Sequence, residues 1–166
     1  MSVVYITGGL GYIGSHLALE LSIRGYTVIV IDDCSNCSAG NVDGLRRLSG
    51  NTIKIYENSI HDSHLVNIFR IHGEGLVFHL AGCKSVPESA EMPGKYWNNN
   101  LSNMRRLLAS ICQVFQPIVF FSSSASVYGS SDMAHSEDSK LQPTSIYART
   151  KMCAEQELFR WYSSGL

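Results

Sequence analysis

Near its start the chain reads Val3-Val4-Tyr5-Ile6-Thr7-Gly8-Gly9-Leu10-Gly11-Tyr12-Ile13-Gly14, and this stretch decides the fold. The first five residues form an apolar run typical of a buried strand. Glycines then follow at positions 8, 11 and 14, where they permit a tight turn, a close backbone approach to a bound group, and close helix–sheet packing. Leu17 and Leu21 continue at helical spacing, and Gly25 is placed to end that helix. The stretch therefore predicts a strand, a glycine turn and a helix.

The rest of the chain repeats this alternation. Further strand-like runs lie at Thr27–Ile31, Ile53–Tyr56, Leu76–Leu80 and Ile118–Phe121. Helical spacing marks Leu65, Ile68 and Phe69, then Met104, Leu107, Leu108 and Ile111, and finally Tyr147–Trp161. Strands alternating with helices predict a parallel sheet covered on both faces, with right-handed crossovers. The stretches Cys34–Gly44 and Gly129–Pro143 are predicted to be loops, and neither resembles a linker between domains.

Length and composition narrow the class of protein. The chain has 166 residues, 45% hydrophobic content and a formal net charge of −1, which favours one domain, residues 1–166, with no basic footprint for nucleic acid or an anionic membrane. No apolar run approaches the about 20 residues of a membrane span, and the N-terminus lacks the basic start of a signal peptide. We therefore expect a cytoplasmic protein. The last predicted helix runs almost to residue 166 and leaves too few residues for a sixth strand. We therefore expect the sequence to be a fragment, or a chain reduced to its nucleotide-binding half.

The cysteines give no clear site. Five cysteines at irregular spacing are typical of free thiols in a reducing compartment. Cys34 and Cys37 form a C-x-x-C, but a zinc site would need a second pair, so no metal is expected. The pair is interpreted as two loop thiols, with a redox dithiol as the alternative.

Asp32 follows the second predicted strand, 18 positions after Gly14. A carboxylate there accepts hydrogen bonds from the adenosine ribose of a dinucleotide and repels a 2′-phosphate. The alternative is a solvated Asp at the end of a strand. With the glycine turn upstream, Asp32 predicts binding of NAD rather than NADP.

Tyr147 and Lys151 form a Tyr-x-x-x-Lys, whose side chains share one helix face. The pKa of an unperturbed tyrosine is about 10, and a nearby ammonium can lower it so that the tyrosine serves as a base. The serines that follow the fifth predicted strand lie where open α/β sheets bind ligands, and one of them could relay a hydrogen bond to a substrate hydroxyl. Helix packing and a serine-rich turn are the alternatives.

Together these motifs resemble the extended short-chain dehydrogenase/reductase family and, within it, the UDP-sugar 4-epimerases. The shared segments are Thr7–His16, Asp32–Asn36, His79–Val86, Asn98–Asn100, Ser122–Gly129 and Tyr147–Lys151, in the family order. Lys84 after the fourth strand favours an epimerase. Ala125 and Ser126 stand where the related dehydratases carry Asp-Glu and the decarboxylases carry a Glu at the second position, so elimination of water has no evident acid or base.

The resemblance implies a Rossmann-type doubly wound parallel sheet, NAD as cofactor, a UDP-sugar substrate and a homodimer, with the C-terminal substrate segment absent. It implies interconversion of UDP-glucose and UDP-galactose through a transient 4-keto sugar, in galactose metabolism. The implied catalytic residues are Ser124, Tyr147 and Lys151. The implied cofactor-binding residues are Gly8, Gly11, Tyr12, Ile13, Gly14, Asp32, Asn36, Ser59, Ile60, Leu80, Ala81, Gly82, Lys84, Asn99, Ser122, Tyr147 and Lys151. The implied substrate contacts are Lys84, Asn99, Ser124 and Tyr147.

The sequence also departs from the family pattern. Asn58-Ser59 replaces a usual Gly-Asp before Ile60, and Asn103-Met104 replaces a usual Gly-Thr. Because the segment that would bind the uridine nucleotide is absent, the isolated chain is expected to be inactive. Two alternatives stay open: another NAD-dependent sugar-nucleotide enzyme of the same fold, and a truncated, non-catalytic NAD-binding module.

Overall fold

The structure, a computed structural model, describes residues 2–37, 39–50, 52–57, 64–130 and 134–164. These residues fall into two compact units. The first comprises Met1–Ala81 and Arg106–Ser122, and the second comprises Gly82–Arg105 and Ser123–Leu166. Each unit is described by itself. Along the described stretches, no helix has both the length and the apolar character needed to cross a membrane.

The first unit is built on a five-stranded parallel sheet. Its strands are β1 (Val3–Thr7), β2 (Thr27–Ile31), β3 (Lys54–Tyr56), β4 (Gly75–His79) and β5 (Ile118–Phe121). They lie in the order β3-β2-β1-β4-β5, and Val3 pairs with both Thr27 and Gly75. The central strands are almost continuously buried because both of their faces are covered, which is why they read as apolar runs. The parallel sheet predicted from the sequence is confirmed.

The α-helices of the described residues are α1 (Tyr12–Ile23), α2 (Ala39–Ser49), α3 (Leu65–His72), α4 (Val86–Glu91), α5 (Pro93–Tyr96), α6 (Asn103–Ile111) and α7 (Ile146–Ser163). Alternate residues of the sheet enter two separate cores. In one core Val4 and Ile6 pack with Ala18 of α1 and Leu45 of α2. In the other core, Tyr5 packs with residues of α3 and α6, namely Leu65, Phe69, Leu107 and Ile111. A sheet with a helical core on each face is doubly wound, as predicted.

The predicted end of the first helix is confirmed in detail. Gly25 has φ +85°, its N–H donates to the carbonyl of Ser22, and the N–H of Tyr26 donates to the carbonyl of Leu21. This is the Schellman arrangement, in which glycine adopts a left-handed conformation that other residues avoid.

Several predicted boundaries were wrong. The predicted loop Cys34–Gly44 ends early because α2 begins at Ala39. The third strand starts at Lys54 rather than Ile53, the fourth runs from Gly75 to His79 rather than from Leu76 to Leu80, and the last helix is longer than Tyr147–Trp161. The described residues of Gly129–Pro143 contain no helix or strand, in agreement with the prediction.

The second unit is helical. It contains α4, α5, a π-helical segment at Trp97–Ser102, a 3₁₀ turn at Ala125–Tyr128, and α7. The sequence did not predict α4, α5 or the π-helical segment, because they are short, polar and interrupted by proline. The hydroxyl of Ser85 caps α4 by accepting a hydrogen bond from the N–H of Glu88 at 3.3 Å.

Candidate functional site

The glycine turn after β1 leaves no space for side chains. Gly8 has φ +70°, and a Cβ there would lie 2.6 Å from the backbone nitrogen of Ala81. A Cβ on Gly14 would lie 2.3 Å from the carbonyl oxygen of Gly8. Gly11 stands at the N-cap of α1, so no side chain caps the first-turn N–H groups of this helix, and Tyr12 and Ile13 in that turn are exposed. This is the geometry that binds a phosphate.

Asp32 lies at the end of β2 and is tied to the glycine turn. One carboxylate oxygen accepts a hydrogen bond from the N–H of Leu10, and the other accepts one from the N–H of Cys34, each at 2.9 Å. A carboxylate has about four acceptor positions, so Asp32 can still receive hydroxyl donors. Asn36, four residues on, is exposed. The first unit therefore brings an oriented negative charge to the glycine turn.

The other predicted residues of the first unit lie at the same edge of the sheet. The N–H of Leu80 donates to the carbonyl of Thr7, and the N–H of Ser122 donates to the carbonyl of His79. Ala81 packs close to Gly8. Parallel sheets bind ligands outside the carboxyl ends of their strands, and this is where these residues gather.

The Cys34 and Cys37 pair has the character of ordinary loop thiols. Both side chains are half-buried, and the thiol of Cys37 donates to the carbonyl of Cys34 at 3.8 Å. Burial, with a further contribution from Cys37, raises the pKa of the Cys34 thiol to about 12. Because thiolates are the reactive form, this environment does not favour a redox dithiol.

In the second unit, α7 presents Tyr147 and Lys151 one helical turn apart. The side chain of Ser145 caps the helix by accepting a hydrogen bond from the N–H of Ala148 at 3.0 Å. Tyr147 is half-buried, and its hydroxyl makes no hydrogen bond to any residue that the structure describes. A reactive tyrosine needs such an open hydroxyl in order to reach a substrate.

Lys151 is only 6% exposed. Burial lowers its pKa to about 8, against the opposing attraction of the Glu155 carboxylate. A Cβ on Gly82 would lie 3.5 Å from the Lys151 ammonium nitrogen, which is an ordinary contact distance. Gly82 and Lys151 are therefore neighbours in the second unit.

The remaining predicted residues have different surroundings. Ser124 is half-buried, and its hydroxyl lies 2.8 Å from that of Ser126; no hydrogen bond joins it to Tyr147 among the described residues. The amide oxygen of Asn99 accepts a hydrogen bond from the N–H of Cys83 at 3.1 Å, and Lys84 is exposed. Ser59 and Ile60 lie outside the described residues.

Sequence reasoning missed Asn100, a buried side chain that makes several hydrogen bonds in this unit. It is buried in the π-helical segment, accepts a hydrogen bond from the N–H of Cys83 at 2.8 Å, and donates to the Cys83 carbonyl at 2.9 Å and to the hydroxyl of Thr150 at 3.2 Å. Thr150 lies between Tyr147 and Lys151 on α7. The signal in the sequence was the Asn98-Asn99-Asn100 run, but the run does not reveal which amide is buried. π-Helical turns are frequent at functional sites.

The chain is similar to known proteins over nearly its whole length. Residues 5–165 match the family model described as GDP-mannose 4,6 dehydratase. The UDP-glucose 4-epimerase of Bacillus subtilis is 37% identical over 157 residues, which cover 93% of this chain and 46% of that protein. The UDP-glucose 4-epimerase 2 of Arabidopsis thaliana is 37% identical over 158 residues, which cover 92% of this chain and 45% of that protein. This chain thus spans about half the length of the curated relatives it matches.

A solved structure supports the same relationship. The UDP-glucose 4-epimerase from Stenotrophomonas maltophila, with bound NAD and formylated UDP-arabinopyranose, superimposes with a TM-score of 0.93 at 33% identity. The match covers 100% of this chain and 50% of that one.

Proposed function

The chain belongs to the family described as GDP-mannose 4,6 dehydratase, and the relatives reported above are UDP-glucose 4-epimerases. We therefore propose that residues 1–166 form one domain, the NAD-binding part of a UDP-sugar 4-epimerase. The reaction would interconvert UDP-glucose and UDP-galactose through a transient 4-keto sugar. The observation that carries the proposal is the open hydroxyl of Tyr147 one helical turn from the buried ammonium of Lys151.

The residues present fit NAD. A Cβ on Gly8 or Gly14 would clash with neighbouring backbone, so these glycines let the turn and the start of α1 pack tightly on the sheet, and the uncapped first turn of α1 supplies donors for a pyrophosphate. Asp32 would hold the adenosine ribose. The other residues proposed to hold the cofactor are Gly11, Tyr12, Ile13, Asn36, Ser59, Ile60, Leu80, Ala81, Gly82, Lys84, Asn99, Ser122, Tyr147 and Lys151. When bound, NAD supplies a hydride acceptor and donor for C4 of the sugar.

Tyr147 is proposed to take the proton from O4 of the sugar and to return it. The pKa of Lys151, about 8, keeps its side chain mostly protonated at neutral pH, so α7 provides a positive charge one helical turn from the Tyr147 hydroxyl. Ser124 is proposed to relay a hydrogen bond at O4, and Lys84 and Asn99 to contact the sugar nucleotide.

The 3₁₀ turn after β5 supports epimerisation over dehydration. Ala125 and Ser126 carry no carboxylic acid, and the hydroxyl of Ser126 is bonded to that of Ser124. Elimination of water needs an acid and a base beside the leaving hydroxyl. The proposal further includes a role in galactose metabolism, a cytoplasmic location and a homodimer.

The test is conversion of UDP-galactose to UDP-glucose by a full-length protein carrying these residues, with NAD supplied. We expect Tyr147→Phe to reduce turnover at least about 100-fold while NAD stays bound, and Ser124→Ala to cause a milder loss. Tyr162→Phe makes the same change at an 85% exposed position of α7 and should have no effect. A Tyr147→Phe variant that epimerises at the parent rate would contradict the proposal.

A further inference from the structure

The backbone of Tyr147 is held from outside its own helix. Tyr147 lies in the first turn of α7, so its N–H has no acceptor within the helix. This N–H donates instead to the hydroxyl oxygen of Ser89 in α4, with an N···O distance of 3.2 Å and a sequence separation of 58 residues. The contact is therefore a cap supplied by another helix, in addition to the local cap from Ser145.

The Ser89 hydroxyl is itself fixed in orientation. Ser89 is fully buried, and its proton is donated to the carbonyl of Val86 at 2.6 Å. With the proton committed, a lone pair of the oxygen is left for the N–H of Tyr147. A buried hydroxyl without hydrogen-bond partners destabilises a fold, and here the Ser89 hydroxyl both donates and accepts a hydrogen bond.

The ring of Tyr147 is held from the same part of the second unit. The ring of Tyr96 meets it edge-on, with centroids 6.4 Å apart at an angle of 88°. The Tyr96 hydroxyl donates to the carboxylate of Glu88, the residue before Ser89, at 2.7 Å. Burial, together with Glu88, raises the pKa of Tyr96 to about 12, so Tyr96 stays a proton donor and does not compete as a base.

We propose that Ser89 is a positioning residue for the reaction of Tyr147: by accepting the first-turn N–H of α7, it sets the direction in which the reactive hydroxyl points. This inference rests on the proposed function, in which Tyr147 moves the O4 proton. Proton transfer is sensitive to small errors in placement, since a shift of about 1 Å can cost about 100-fold in rate. Ser89 itself contacts neither the substrate nor NAD in this proposal.

The first experiment measures amide hydrogen exchange at Tyr147 in the 166-residue chain. Ser89→Thr and Ser89→Val have the same shape and differ only in the hydroxyl, so the pair separates the hydrogen bond from packing. We expect exchange at Tyr147 to be about tenfold faster in Ser89→Val than in Ser89→Thr, with little change at Ala154 in the middle of α7. Ser163→Ala, which removes an exposed hydroxyl at the far end of α7, should leave exchange at Tyr147 as in the wild type.

The second experiment measures turnover of UDP-galactose by the full-length protein. We expect Ser89→Val to lower kcat about tenfold with KM within about twofold of the wild type, and Ser89→Thr to keep most of kcat. Equal exchange at Tyr147 in the two variants, or equal kcat despite different exchange, would overturn the positioning role. If the wild-type protein does not convert UDP-galactose, the proposed function fails, and the exchange comparison still decides whether Ser89 orders Tyr147.

Discussion

At the scale of single residues, Asp32 is expected to set the cofactor preference. Its carboxylate is oriented by two backbone N–H groups, and an acidic residue at the end of the second strand of such a fold disfavours a 2′-phosphate. We expect the chain to bind NAD more tightly than NADP, and Asp32→Ala to weaken NAD binding about tenfold or more. Calorimetric titration with both dinucleotides measures this.

Asp32→Asn is the matched control, because it removes the charge but keeps one of the two oxygens that accept hydrogen bonds from the turn. It should narrow the difference between NAD and NADP while disturbing the turn less. Tighter binding of NADP by the wild type, or unchanged NAD affinity in Asp32→Ala, would contradict the assignment.

The buried ammonium of Lys151 predicts a pH-dependent stability. Burial lowers its pKa from 10.5 to about 8, so between these pH values the unfolded chain holds a proton that the folded chain has lost. The free energy of unfolding then rises with pH in this window. Relative to Lys151→Met, the free energy of unfolding of the wild type should rise by up to about 3 kcal/mol across this window, since one pKa unit is worth about 1.4 kcal/mol. Urea unfolding of both proteins across the window measures it, and a constant difference between them would refute the prediction.

The residues that sequence reasoning found and missed differ in how they act. Asp32, Tyr147 and Lys151 could be chosen because their spacing from a glycine turn, or from each other, is part of the pattern. Asn100 acts through burial and through three bonds to distant residues, and its neighbours Asn98 and Asn99 are chemically identical. Only the packed structure distinguishes the buried amide from the other two.

At the scale of elements, the glycine turn between β1 and α1 should tolerate no side chain. Because a Cβ on Gly14 would meet backbone atoms of Gly8 and Gly9, neither of which can rotate away, Gly14→Ala should destabilise the chain by about 3 kcal/mol or more. Gly44→Ala in α2 meets no atom within 4 Å and should stabilise by about 0.5–1 kcal/mol. Thermal unfolding of the two variants should give shifts of opposite sign. Equal shifts of the unfolding temperature in the two variants would show that a Cβ fits at Gly14, against the prediction.

The central strands β1 and β2 were predictable because burial on both faces selects β-branched and aromatic residues along their length. The helices of the first unit were predictable where apolar residues recur every three or four positions, as at Leu65, Ile68 and Phe69. The segment from α4 to the π-helical turn follows neither rule. It consists of short turns with few buried groups, and most of these are polar: Ser89, Tyr96 and Asn100. Such a segment has no hydrophobic periodicity from which it could be predicted.

At the scale of the whole molecule, β5 is an outer strand of the sheet and carries exposed apolar side chains. Ile118 is 63% exposed and Phe120 is 48% exposed, while Phe120 stacks on Phe78 with centroids 4.6 Å apart. An outer strand with exposed apolar side chains favours self-association. Measurements on the isolated chain therefore need a check of its association state.

The isolated residues 1–166 should bind NAD but should not epimerise UDP-galactose. A sugar nucleotide uses binding energy from its uridine diphosphate portion to hold the reacting sugar in place. This chain spans about half the length of the epimerases it matches, and we propose that the uridine site of a full-length protein lies outside these residues. Tyr147 and Lys151 would then face a sugar that does not stay bound, in a site open to water. We expect turnover below about one thousandth of that of a full-length protein. The assay uses monomeric chain free of full-length enzyme, with NAD binding as proof that the chain is folded. Substantial conversion by that sample would show that these residues contain the whole substrate site.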